Sequence, residues 1–255
     1  MLLRGTVVAD SATVIQDGAV VVDGSTIESV GERAELEDRY PDHERADYDI
    51  LLPGLVGAHI HSVQSLGRGI ADDATLLDWL FDHILPMEAN LSADEMRLAA
   101  ELGYLELIET GTTTAIDHLS VAHAEEAFEA AGEMGIRGRI GKVLMDQRSP
   151  DGLLEDTQAG LDESERLIQK YHGSFEDRIR YAVTPRFAVS CTEECLRGSR
   201  ELADAYDGVR IHTHASENQD EIETVEEDTG MRNIHWLDEV GLTGEDVVLA
   251  HVIWT

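Results

Sequence analysis

Lysine is almost missing from this chain. Among 255 residues only Lys142 and Lys170 are lysines, and the 19 basic side chains face 52 acidic ones, a net charge of −33. A surface so acidic repels nucleic acid and anionic membrane, which excludes both as partners. The acids are dispersed through the helical stretches instead of gathered in a tail, so they read as a solvated shell on a folded protein. We read that shell as halophilic adaptation to a high-salt cytoplasm, where screening removes the self-repulsion. Cysteine is equally scarce. Cys191 and Cys195 lie four apart in a helical-looking stretch, which predicts a reduced, cytoplasmic protein and no disulfide framework. Long apolar runs are lacking too. No segment approaches a membrane span, and Met1–Gly5 opens no apolar core of signal-peptide length. No glycine-rich phosphate loop follows a strand, which counts against a nucleotide-binding Rossmann fold.

What is present supports a core: 42% of the residues are apolar, in a length that suits one large domain or one domain with a small appendage. Residues 1–49 predict short strands and tight turns. Val7-Val8, Ala19–Val22 and Thr26-Ile27 are β-rich, while Asp17-Gly18 and Asp23-Gly24 are hairpin dipeptides. Over residues 50–255 the pattern changes to strands alternating with helices at a period of about 30–40 residues, which predicts a parallel α/β fold. Strands are expected at Ile50–Val56, Thr112–Leu119, Ile136–Met145, Ile179–Val183, Val209–His214 and Val247–Ile253. Helices are expected at Leu76–Leu85, from the capping box Ser92-Ala93-Asp94-Glu95 onward, and at Ala124–Met134, Gly160–Tyr171, Thr192–Tyr206 and Asp220–Thr229.

Three of those strands run into histidine. The apolar run Ile50–Val56, expected as one buried strand, leads to His59 and His61. Residues i and i+2 of a strand share a side, so the pair can grip one ion, and neutral imidazole suits zinc, iron or nickel. Val209–His214 again ends in His-x-His, at His212 and His214, with Glu217 three residues further on. Val247 onward ends at His251. In a parallel sheet all strand C-termini lie on one face, so these side chains converge without fine-tuning. A divalent ion there makes hydroxide available near neutral pH. Glu217 is placed for proton transfer, and His251 for holding the water or the tetrahedral intermediate.

The segments PGLVGAHIH, GTTTAIDHLS, TPRFAVSC, IHTHASENQDE and VVLAH, in this order along the whole chain, resemble the amidohydrolase superfamily, in its branch of purine, pyrimidine and triazine deaminases and chlorohydrolases. The resemblance implies a (β/α)8-type barrel with a small β-sandwich built from both termini, residues 1–49 being its N-terminal part and residues 50–255 the barrel. It implies one catalytic divalent metal, zinc in the first place and iron in the second, with His59, His61 and His214 as ligands, Glu217 as proton shuttle, His251 orienting the water and His212 structural. The activity implied is hydrolytic deamination of a small heterocycle, and a homo-oligomer is expected. Gln64, Arg186, Phe187 and GKVLMD at 141–146 resemble guanine deaminases, where the matching side chains hold the purine. LGRGIADD at 66–73, Trp79, LPMEANLS at 85–92 and VEEDTGMR at 225–232 resemble deaminases of 5′-deoxyadenosine or S-adenosylhomocysteine, in which the residue matching Glu88 contacts the ribose. Asp117-His118 resembles oxopurine and triazine hydrolases, which leaves a chlorotriazine or pyrimidine aminohydrolase as the alternative. The His-x-Glu and Pro-Cys-x-x-Cys pattern of the other deaminase chemistry is absent.

The pattern departs from the family at one point. The family's barrel has eight strands and an eighth-strand aspartate ligand, whereas these residues show six. The expectation is therefore a barrel truncated after the sixth strand, with apolar edges at Ile50–Val56 and Val247–Ile253, poorly soluble or inactive by itself unless Asp117 replaces the absent acid. A scaffold subunit without catalysis is the reading from another class.

Overall fold

The computed structural model describes residues 1–255, which divide into two units, Met1–Leu55 and Val56–Thr255. In the first, β1 (Leu2–Val8), β2 (Val14–Asp23), β3 (Thr26–Glu32), α1 (Arg33–Arg39) and β4 (Arg45–Leu51) follow one another. The sheet order is β3-β2-β1-β4, with β1–β2 and β2–β3 antiparallel and β1–β4 parallel. Leu2, Ala19, Val21 and Leu36 close its core. Asp23-Gly24 does turn the β2–β3 hairpin, with Gly24 at φ +56°. Asp17-Gly18 does not turn. Gly18 lies inside β2 opposite Gly5, and a Cβ on it would come 2.7 Å from Val7 Cγ2. Its glycine serves close strand approach, not chain reversal.

The run Ile50–Val56 is not one buried strand. β4 ends at Leu51, β5 (Leu55–Ile60) begins after Pro53-Gly54, and Ile50, Leu52, Leu55 and Val56 are 52–66% exposed. Pro53 has no N–H for a ladder, so the strand stops there despite unbroken hydrophobicity.

The second unit alternates as expected. A 3₁₀ turn, Ser62–Gly67, follows β5. A continuous helical segment then runs through α2 (Leu76–Trp79), a π-helical turn at Leu80–Ile84 and α3 (Leu85–Asn90). Next come α4 (Ala93–Glu109), β6 (Thr112–His118), α5 (Ala124–Met134), β7 (Arg137–Gly141), β8 (Val143–Leu144), α6 (Thr157–Tyr171), the single turn α7 (Ser174–Asp177), β9 (Ile179–Pro185), α8 (Glu193–Asp204), β10 (Arg210–Ala215), α9 (Gln219–Thr229), α10 (Asn233–Glu239) and β11 (Val247–His251). The Ile136–Met145 run is thus divided into β7 and β8. The capping box of Ser92 and Glu95 opens α4, and Thr192 caps α8. The face α4 buries is Met96, Ala99, Ala100, Gly103 and Tyr104, while Leu98, Leu102 and Leu105 are 41–55% exposed.

The sheet order is β11-β10-β9-β7-β6-β5, with β8 beside β9. The pairs β6–β7, β7–β9, β8–β9, β9–β10 and β10–β11 are all parallel. Their C-termini share one rim, and the helices pack a continuous core behind them around Phe128, Tyr171, Tyr181 and Leu196. Cys191 and Cys195 are buried free thiols. No helix is long and apolar enough to cross a membrane.

Candidate active site

The rim gathers six imidazoles. His59 and His61 come from the end of β5, His118 from β6, His212 and His214 from β10, and His251 from β11. The ring centroids of His59 lie 4.8 Å from those of His61, 4.7 Å from His214 and 4.9 Å from His251. Burial holds these rings neutral. It lowers His59 to about 4, helped by the charges of His251 and Arg186, and His61 and His214 lie well below the usual imidazole range for the same cause.

Backbone carbonyls set the tautomers. His61 Nδ1 lies 2.7 Å from the His118 carbonyl oxygen, and His214 Nδ1 lies 2.6 Å from that of Arg186. A carbonyl only accepts, so each Nδ1 carries the hydrogen and each Nε2 is left with a lone pair. Those two Nε2 atoms face each other at 3.0 Å. Two lone pairs facing each other at that distance call for a cation, and two ligands of one ion at ~2.0–2.1 Å each can span it. The residues therefore fit a metal. His59, His214 and His251 also place one ring nitrogen each within 4.8 Å of one another. That trio substitutes His251 for His61. We favour His61 because its tautomer is fixed with the lone pair toward His214, whereas His251 Nε2 lies 3.5 Å from Glu217 Oε2.

Glu217 reaches this position by a reversal at Ser216, which is left-handed at φ +51°. The buried Glu221 carboxylate holds the reversal: it accepts from Ser216 N at 3.2 Å, Glu217 N at 2.8 Å and Asn233 Nδ2 at 2.8 Å. Burial raises the Glu217 carboxyl above the usual carboxylate range, against the opposing pull of Arg186. A carboxyl so raised, beside an imidazole, is placed to accept a proton and return it. His212 is fully buried behind His59, its Nε2 3.0 Å from His59 Nδ1.

A cavity of about 140 Å³ opens over this group, walled by Trp79, Leu80, Arg186, Phe187, Glu217 and His251. Arg186 and Phe187 therefore face it. Gln64 lines an adjoining hollow with Arg68 and Trp79. Glu88 is shut behind them, 1% exposed, and both its oxygens are engaged. Oε1 accepts from Gln64 Nε2 at 2.7 Å, Oε2 from Ser120 Oγ at 2.8 Å, and the Arg186 guanidinium pairs with it at 3.3 Å. Two of the side chains expected to read a purine ring, Gln64 and Arg186, thus share one network with Glu88, the one expected to read a ribose. Asp117 is also fully buried and raised to about 6 by that burial; it accepts from Ser62 N and the Tyr104 hydroxyl. Neither ring nitrogen of the buried His118 has a partner.

Sequence reasoning overlooked Tyr104, Ser120 and Glu221. A signal existed for Glu221: Asn218-x-x-Glu221 is a helix-capping pattern, and Asn218 Oδ1 does accept from Glu221 N at 2.8 Å. For Tyr104 and Ser120 no local signal exists, because their partners lie 13 and 32 residues away.

A parallel α/β sheet with imidazoles from several strand ends, a glutamate above them and an apolar-walled cavity defines a fold of the parallel α/β barrel class. The chain belongs to the amidohydrolase family, whose profile matches residues 50–255. Residues 18–42 match a second profile, an imidazolonepropionase-like composite domain of bacteria. Over 258 aligned residues the chain is 34% identical to a 5′-deoxyadenosine deaminase of Methanopyrus kandleri, covering 100% of this chain and 58% of that protein. Among solved structures, Escherichia coli guanine deaminase superposes with a TM-score of 0.91 at 30% identity, covering 100% of this chain and 63% of that one. An atrazine chlorohydrolase from Arthrobacter aurescens TC1, complexed with zinc, superposes at 0.89 with 26% identity over 100% of this chain and 61% of the other. The chain therefore spans about three-fifths of the length of these proteins.

Proposed function

We propose that this protein is a metal-dependent aminohydrolase that releases ammonia from a purine nucleoside or base. The observation that carries the reading is the pair of lone-pair nitrogens, His61 Nε2 and His214 Nε2, facing each other beneath a cavity that also receives Glu217. His59, His61 and His214 would hold the ion, zinc in the first place and iron in the second. When bound, it supplies Lewis acidity that makes water acidic near neutral pH. Glu217 takes the proton from the attacking water and delivers it to the leaving nitrogen, so one carboxyl serves as base and then acid. His251, 3.5 Å from Glu217, orients that water. Trp79 and Phe187 supply flat apolar walls for a planar heterocycle, and the free donors of Arg186 meet an acceptor on its edge.

The relative from Methanopyrus supports an adenosine-type nucleoside. A specific observation favours a second reading: Arg186 and Phe187 face the cavity while Glu88 does not, an arrangement suited to a base with a ring carbonyl. The chlorohydrolase neighbour keeps aminotriazines and chlorotriazines in view. The test is ammonia release from 5′-deoxyadenosine, S-adenosylhomocysteine, guanine and an aminotriazine, alongside metal content per chain. Activity on a purine supports the proposal. Bound metal without ammonia from any of them overturns it in favour of dechlorination or a scaffold role. The dispersed acidic surface supports function in molar salt, to be checked by whether the melting temperature climbs with salt.

A further inference from the structure

We infer that Asp117 is a positioning residue for His61, fixing the direction of its Nε2 through the Ser62 amide and the Tyr104 hydroxyl. The inference rests on the proposed role of His61 as a ligand. The end of β6 grips the residues after β5 at two points. Asp117 Oδ1 accepts from the backbone N–H of Ser62 at 3.1 Å, which fixes the chain one residue past His61. The next carbonyl along β6, that of His118, accepts from His61 Nδ1 at 2.7 Å and fixes the ring. With both points held, His61 Nε2 faces His214 Nε2 at 3.0 Å.

The carboxylate is itself oriented from the other side. Tyr104 Oη donates to Asp117 Oδ2 at 2.7 Å, and both side chains are 0% exposed. Tyr104 reaches it because its neighbour Gly103 lets α4 lie directly on the turn: a Cβ at Gly103 would sit 2.9 Å from the Ser62 carbonyl oxygen and 3.0 Å from Ser62 Cα. A carboxylate is an expensive way to fill a core position, since its desolvation must be offset. A leucine has the same branched outline and the same number of side-chain heavy atoms. What a leucine lacks is an acceptor for Ser62 N–H, and that acceptor is what a ligand-bearing turn needs.

The test uses Asp117→Leu, Asp117→Asn and Tyr104→Phe, each with two readouts. One is zinc affinity by competition with a chelator. The other is the imidazole Nδ1–H proton resonance of His61, assigned by its loss in His61→Ala and observable without metal. Asp117→Leu keeps the branched outline but removes the acceptors, and should weaken zinc binding ~10–100-fold while broadening or losing the resonance. Asp117→Asn can still accept from Ser62 and should restore both within a few fold. If Asp117→Leu does not fold, Tyr104→Phe carries the test, with a smaller loss of affinity and a shifted resonance expected. A folded Asp117→Leu with unchanged affinity and resonance, or a Tyr104→Phe indistinguishable from wild type when the leucine variant is unfolded, overturns the inference. Wild-type protein that binds no zinc would sink the ligand reading of His61 instead, and the resonance would still decide whether Asp117 orients the ring.

Discussion

β5 and β10 both lead into His-x-His, and the two pairs are placed differently. On β5 both His59 and His61 line the cavity, whereas on β10 only His214 does; His212 is 0% exposed and lies behind His59. The register explains the difference. β5 stops at Ile60, one residue after His59, whereas β10 runs on to Ala215, three residues after His212. Residues i and i+2 of a strand share a side but not a depth, and depth is set by where the strand stops relative to its neighbours. One histidine of the deeper pair therefore supports a ring of the shallower one. The same spacing yields two candidate ligands in one strand, and a candidate ligand with its support in the other.

The largest effect should come from the two nitrogens that face each other. Either His61→Ala or His214→Ala should lose bound metal and turnover together, with the fold retained by circular dichroism. Full metal content in either variant would break the comparison at its root. Glu217→Gln should leave metal in place and lower turnover by ~10²–10⁴-fold. Burial raises the Glu217 pKa in the folded chain, so ionising it costs folding free energy above the unfolded carboxylate range near ~4.3. The glutamine variant should accordingly melt higher than wild type near neutral pH, the gap closing as pH falls toward about 4. Equal melting temperatures across that range would show that the carboxyl is not desolvated.

His212→Ala sharpens the comparison. As a support it should weaken metal affinity ~10–100-fold without abolishing binding, a smaller loss than His59→Ala. A loss equal to that of His59→Ala would make the two pairs equivalent. The smallest effect is expected at the middle residue of the β10 motif. Thr213 Oγ1 donates at 3.2 Å to the Arg186 carbonyl, which already accepts from His214 N and Nδ1. Thr213→Val should cost about 0.5 kcal/mol of stability and leave turnover unchanged. A cost several times larger would mean that this hydroxyl, and not the ring, aims the Arg186 backbone.

Much of the second unit was legible because its signals are local. Ser92 and Glu95 announce α4, Ala124–Met134 is a helix with the ends its composition predicts, and histidines at strand ends converge in any parallel sheet. The errors are equally physical. Hydrophobicity joined Ile50 to Val56, but Pro53 withholds a ladder donor and divides them between β4 and β5. Asp17-Gly18 carries the chemistry of a turn, and Gly18 is used instead for the contact with Val7. Leu98, Leu102 and Leu105 are apolar yet 41–55% exposed, because α4 turns Met96, its small residues and Tyr104 inward.

By itself the sequence determined the residue types, the alternation of strands and helices, and hence the gathering of His59, His61, His214, Glu217 and His251 on one rim. These follow from the period of the strand and the parallel sense of the sheet, which adjacent residues encode. Only the tertiary structure decided which nitrogen of each ring carries its hydrogen, that Glu88 closes against Arg186, Gln64 and Ser120, and that Asp117 grips the turn after His61. Those outcomes depend on carbonyls, hydroxyls, amides and a guanidinium as many as 98 residues away, as between Glu88 and Arg186. A hydrogen bond is decided by separation and angle in space, and no local pattern records either.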